Sequence, residues 1–99
     1  MKSLIIEVIE IEGNCPVYKV GDKIILNKGY KINLSKTNVI CMHSLASIMP
    51  YYVALSNGVN PKNLGLAKLE SSGKSAFVQC LDPCKYTGGG TVYFEIISI

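Results

Sequence analysis

The stretch Ser3-Leu4-Ile5-Ile6-Glu7-Val8-Ile9-Glu10-Ile11-Glu12 alternates as a β-strand does, but it changes phase midway. Leu4, Ile6 and Val8 fall on one face. Beyond them Ile9 and Ile11 are the apolar residues, and Glu10 and Glu12 take the opposite face. Side chains in a strand alternate with a period of two, so a switch of this kind needs a bulge or a strong bend. Gly13-Asn14-Cys15-Pro16 then ends the strand, because Pro16 has no N–H to give a ladder.

Working outward, Val20-Gly21-Asp22-Lys23 reads as a turn into the apolar run Ile24-Ile25-Leu26. Asn27-Lys28-Gly29 is a tight turn, and Tyr30, Ile32 and Leu34 alternate after it, so the two runs form a hairpin. From about His43 to Ser56 the period becomes helical. Leu45, Ile48, Met49, Tyr52 and Val53 make one apolar stripe, with Ser44 as N-cap and Asn57-Gly58 as the stop. Pro50 lies inside this segment and either kinks the helix or starts a second one.

Residues 64–70 and 74–80 read as paired strands joined across Ser71-Ser72-Gly73, and residues 91–99 as the last strand, entered through Gly88-Gly89-Gly90. The predicted architecture is α+β, a single domain over residues 1–99. It has a strongly curved antiparallel sheet, or a small partly open β-barrel, of five to six strands, with one main helix kinked or broken near Pro50.

Composition narrows the function classes. The chain has 99 residues, 48% of them hydrophobic and 17% charged, which excludes a disordered tail and leaves room for one modest core. The net charge of +3 comes from ten lysines and no arginine, scattered singly. Without the guanidinium fork, specific nucleic-acid recognition is not expected. No window approaches a membrane span and no secretory h-region opens the chain, so a cytoplasmic protein is expected. Thiols stay reduced there, and the four cysteines read as metal ligands, reactive thiols or small buried hydrophobes.

Cys15 lies just past the first strand, Cys41 just before the helix and Cys80 at a strand end, and ends of elements are where distant side chains converge. Convergence of these three would give thiolate ligands for zinc or an iron–sulfur cluster. Cys84, four residues beyond Cys80, or His43, the only histidine, would complete the shell. The spacings are not the paired knuckles of structural zinc sites, so inert buried thiols remain the competing reading, and Cys80 with Cys84 as a redox pair a third.

Other motifs read as structure. Gly88-Gly89-Gly90 leads into a strand and not a helix, so it is a turn and not a phosphate loop. Glu7, Glu10 and Glu12 read as solvated edge charges. Asp22 reads as a turn residue.

Several segments resemble a family of small uncharacterised bacterial and archaeal proteins of about this length. They are Asn14-Cys15-Pro16 followed by Lys19-Val20-Gly21-Asp22, Cys41 ahead of Pro50-Tyr51 and Ala54-Leu55, and Cys80-Leu81-Asp82 before Val92-Tyr93-Phe94-Glu95. The resemblance implies that Cys15, Cys41 and Cys80 are the recurring cysteines and Cys84 an addition, which favours a thiolate metal site. The family's aromatic–histidine pair is replaced here by Leu45-Ala46, so its histidine has no counterpart in His43. No reaction comes with the resemblance. The function expected is an accessory in metal, electron or sulfur handling; the alternative is a non-catalytic binding or assembly module that pairs with a protein partner or with itself.

Overall fold

A computed structural model describes residues 1–69 and 74–99. Five strands form one antiparallel sheet: β1 (Leu4–Gly13), β2 (Lys23–Asn27), β3 (Lys31–Ile32), β4 (Ser75–Gln79) and β5 (Gly90–Ser98). Their order is β3-β2-β1-β5-β4, so the sheet is not closed, and β3 and β4 are its edges. Three short helices accompany it among the described residues: α1 (Met42–Ile48), α2 (Tyr52–Ser56) and α3 (Cys84–Thr87). None is long and apolar enough to cross a membrane.

The phase switch of the first strand is resolved by a bulge. Leu4 to Val8 pair with Ser98 to Phe94 in step; the register then jumps between Val8 and Glu10, and Ile11 comes to pair with Val92. Ile9 is the extra residue and is 37% exposed, while Leu4, Ile6 and Val8 are buried and Ile11 packs against the core. One inserted residue thus lets both halves of β1 face the same interior. The inner face continues across the sheet in rows, Ile24–Ile6–Ile96–Ala76 and Val8–Phe94–Val78. Ile48 of α1 and Leu55 of α2 complete this core from the helical side.

The helical segment is two helices, separated at Met49-Pro50-Tyr51, where Pro50 offers no N–H. The cap of α1 is Cys41, not Ser44, which lies fully buried in the first turn. β3 is shorter than the alternation of Tyr30, Ile32 and Leu34 predicts. The Asn33 side chain accepts from the Ser35 hydroxyl and the Lys36 N–H, a local turn that competes with the ladder and leaves Leu34 exposed.

Pro61–Leu64 is a 3-10 helix in place of the start of the strand expected over residues 64–70. Asn60 accepts from the Lys62 N–H at its head, and Gly65 ends it at φ 72°. Residues 65–69 are not in a strand. Glu70 and the Ser71-Ser72-Gly73 turn lie outside the described residues. β1 is the central strand, so Glu7, Glu10 and Glu12 are not edge charges; they project from the face opposite the core.

Candidate functional site

β1 ends where β5 begins. Gly13 pairs with Gly90, and the Asn14 N–H donates to the Gly89 carbonyl at 3.1 Å. Three cysteines surround this glycine pair. The backbone of Cys15 runs so close that a Cβ on Gly90 would stand 2.5 Å from its nitrogen. Cys80, just past β4, is buried; its Sγ accepts the Val92 N–H at 3.3 Å and lies 3.6 Å from the Gly90 carbonyl, to which the thiol donates. Cys84 opens α3, its N–H donates to Thr91 Oγ1 at 3.1 Å, and a Cβ on Gly13 would lie 3.4 Å from its own Cβ.

Cys41 is tied to the same end through Tyr18. This tyrosine is buried, with its ring edge-to-face on Phe94 at 5.5 Å. Its Oη accepts the Cys41 N–H at 2.8 Å and lies 2.8 Å from Ser44 Oγ. Ser44 in turn donates its only hydroxyl proton to the Cys41 carbonyl at 2.7 Å. That assignment leaves Tyr18 as the donor to Ser44, so the four groups form a closed circuit that begins and ends on Cys41. Burial pushes the Tyr18 phenol above its ordinary value of 10.0, against the opposing pull of its hydrogen bonds with Ser44 and Cys41.

Cys15 is held by its own turn. Its Sγ accepts the N–H of Val17 at 3.4 Å and of Tyr18 at 3.3 Å. Amides aimed at a sulfur are the contacts by which a chain fixes and tunes a ligating thiolate. The ends of the elements therefore do meet. Among the described residues, however, no three His, Cys, Asp or Glu side chains are gathered so as to hold a metal ion. All four cysteines are free thiols, Cys80 buried and the others half-buried, and His43 is exposed on the first turn of α1.

The glycine triplet closes over Asp82, whose carboxylate accepts the Gly90 N–H and the Thr87 hydroxyl; a Cβ on Gly89 would strike it at 2.3 Å. The cradle is filled by the chain's own acid. On the outer face the Tyr93 hydroxyl donates to Glu12, which pushes that phenol up to about 12.

A second feature lies at the other side of the helices. An apolar cleft of about 180 Å³ opens between the β1–β2–β3 part of the inner face and the two helices. Ile24, Leu26 and Ile32 line it from the sheet, Leu45 and Tyr52 from the helices and Met49 from the link between them, and Tyr30 is shared with its rim. No carboxylate, amine, thiol or imidazole is among the lining residues. Met49 is 56% exposed and Tyr30 68%, so the mouth is open to solvent. The helical stripe reads as core in the sequence; here it is divided, with Ile48 inside and Met49 and Val53 outside. Tyr18 and Tyr30 carry no motif that marks them, and the burial of Ser44 is legible only as an expected cap.

No family model, no curated protein and no solved structure matches the chain.

Proposed function

We propose that the chain is a non-catalytic binding module that seats an apolar group in the cleft between the β2–β3 hairpin and α1–α2. The observation that carries this reading is a concave, solvent-open cleft whose lining is apolar or aromatic throughout. Such a surface gains by removing apolar area from water and offers no acid, base or thiol to a bound substrate. Benzene is a suitable probe, because apolar cavities of about 150 Å³ accept it. Titration with benzene is expected to shift the amide signals of Leu45, Ile48, Met49, Tyr52 and Ile32, and Met49→Asp, at an exposed position, is expected to abolish those shifts. A titration that leaves these signals unmoved sinks the reading.

The sulfur contacts of Cys15, with the resemblance to the cysteine-bearing family, support a second reading as an accessory in metal, electron or sulfur handling. Zinc or an iron–sulfur cluster would be held by Cys15, Cys41 and Cys80, with Cys84 or His43 completing the shell; the cysteine ends would have to draw together further than they do here. Protein purified without oxygen is then expected to carry near-stoichiometric zinc, or iron with sulfide and a brown chromophore, and to lose it on Cys15→Ser or Cys41→Ser. Metal-free, colourless and folded protein removes this reading and leaves the first. The burial of Cys80 weighs against a fast-reacting Cys80–Cys84 redox pair.

A further inference from the structure

The two sides of the sheet are finished differently. On one side residues 31–38 cover β2: Ile32 pairs with Leu26, the Asn33 N–H donates to the Ile25 carbonyl, the Ile25 N–H donates to Thr37 Oγ1, and Lys23 and Asn38 exchange bonds. On the β4 side, among the described residues, one rung is closed. The Phe77 N–H donates to the Leu66 carbonyl at 2.8 Å, while the Leu66 N–H turns away to the Pro61 carbonyl.

Alternation along β4 shows what is left open. The Cys80 N–H donates to the Val92 carbonyl, so Ala76, Val78 and Cys80 turn their backbone groups toward β5, and Phe77 and Gln79 turn theirs outward. Among the described residues nothing bonds to the Phe77 carbonyl or to the N–H and carbonyl of Gln79. A groove of about 580 Å³ lies against this length. Phe77, Val78 and Gln79 line it in succession, which consecutive residues of a strand do only for a space at the strand's edge, and Ser47, Pro50 and Tyr51 line it from the helical side. Gln79 is exposed and Leu81, just beyond it, is 58% exposed, so the groove is open to solvent.

The outward backbone groups decide the occupant. An N–H and two carbonyls in strand geometry match an extended chain, and the groove beside them takes one of its alternate side chains. Open edges are commonly blunted by charge, proline or a bulge, and β4, Ser-Ala-Phe-Val-Gln in unbroken register with β5, carries none of these. A second copy of β4 does not fit: two-fold pairing about Gln79 would bring the second chain onto the place that Leu66 already holds beside Phe77.

We propose that the open edge of β4 receives an extended segment of a partner protein, which adds as one more strand at Gln79 and sets an apolar side chain in the groove against Pro50 and Tyr51. This site lies on the other flank of α1 from the apolar cleft and does not depend on it.

The test uses an eight-residue peptide of alternating valine and threonine between terminal lysines. Titration is expected to shift the amide signals of Phe77, Gln79, Leu81, Ser47 and Tyr51. A copy N-methylated at every valine and threonine keeps the side chains and the charge but loses the donors. It is expected to bind at least about tenfold more weakly, since each strand hydrogen bond contributes a few-fold. Gln79→Pro removes the outward N–H at a position where an edge strand tolerates proline, and is expected to weaken the unmethylated peptide similarly. Gln79→Ala changes only the side chain and should bind as the parent does. The N-methyl comparison uses the unaltered protein and decides the matter if Gln79→Pro does not fold.

Equal affinity of the methylated copy overturns the added strand and leaves an apolar groove alone. A loss in Gln79→Ala as large as in Gln79→Pro does the same. Edge amides that stay unmoved with the unmethylated peptide overturn the site. Shifts of these amides on concentrating the protein by itself give the edge to a second copy and overturn the partner segment.

Discussion

Gly90→Ala is expected to destabilise the protein by about 3 kcal/mol or more, lowering the melting temperature by about 12 °C or more. The added methyl would stand 2.5 Å from the Cys15 nitrogen, 2.7 Å from the Asn14 carbonyl carbon and 2.8 Å from the Cys15 Cα. All three are backbone atoms, so no side chain can swing aside to make room. Displacing residues 14 and 15 strains the bond from the Asn14 N–H to Gly89 and moves the Gly90 carbonyl relative to the Cys80 thiol. Gly58→Ala isolates the cause. Gly58 sits at φ 82° with nothing near its missing Cβ, so alanine there meets only backbone strain of about 1–2 kcal/mol. Thermal melts of the two variants should differ clearly; a Gly90→Ala melt within about 4 °C of the parent would show that the sheet end yields freely.

The position of Gly90 also shows where sequence reading stops. The phase switch in residues 3–12 is visible because a buried strand cannot change faces without an inserted residue, and the bulge lies inside the quoted stretch. That β1 pairs along its length with β5 is a contact between the two ends of the chain, and no local pattern marks it. The same pairing brings Cys15 beside Cys80 and Cys84. Their placement at element ends is legible; whether their sulfurs face one another depends on the turn of residues 15–18 and on the loop around Asp82, which short-range patterns do not fix. Residues 64–69 mislead for a related reason. Their apolar alternation suits a strand, but Asn60, Pro61 and Gly65 write a capped 3-10 turn over its beginning, and turn chemistry overrides a weak alternation. The cleft is hidden by the opposite ambiguity, because Met49 and Tyr52 continue the helical stripe as well as any core residue. Only the break at Pro50 and the short β3 leave them at an open mouth.

The other large effect is expected at Tyr18, where two substitutions separate packing from hydrogen bonding. Tyr18→Ala removes the ring that packs edge-to-face on Phe94 and opens the circuit on Cys41, at a cost of about 3–5 kcal/mol. Tyr18→Phe keeps the ring. It leaves the Cys41 N–H without its acceptor and Ser44 Oγ without its donor, in a place where Ser44 is fully buried, so about 1–3 kcal/mol is expected. Alkaline titration supplies a second readout. The folded-state phenol ionises above the unfolded value of 10.0, so the unfolded chain releases this proton first. The associated stability is complete below pH 10 and is lost as pH rises toward the higher folded value. Denaturant midpoints should therefore fall more steeply above about pH 10 in the parent than in Tyr18→Phe. Tyr93 contributes a similar slope from the outer face, and comparing both proteins on a Tyr93→Phe background removes it. A Tyr18→Phe protein as stable as the parent at neutral pH would mean that water replaces the hydroxyl at α1, and Cys41 would then owe its position to the turn alone. If the loss appears as expected, the buried circuit is what holds the cysteine-capped start of α1 against the end of the sheet where the other three thiols lie.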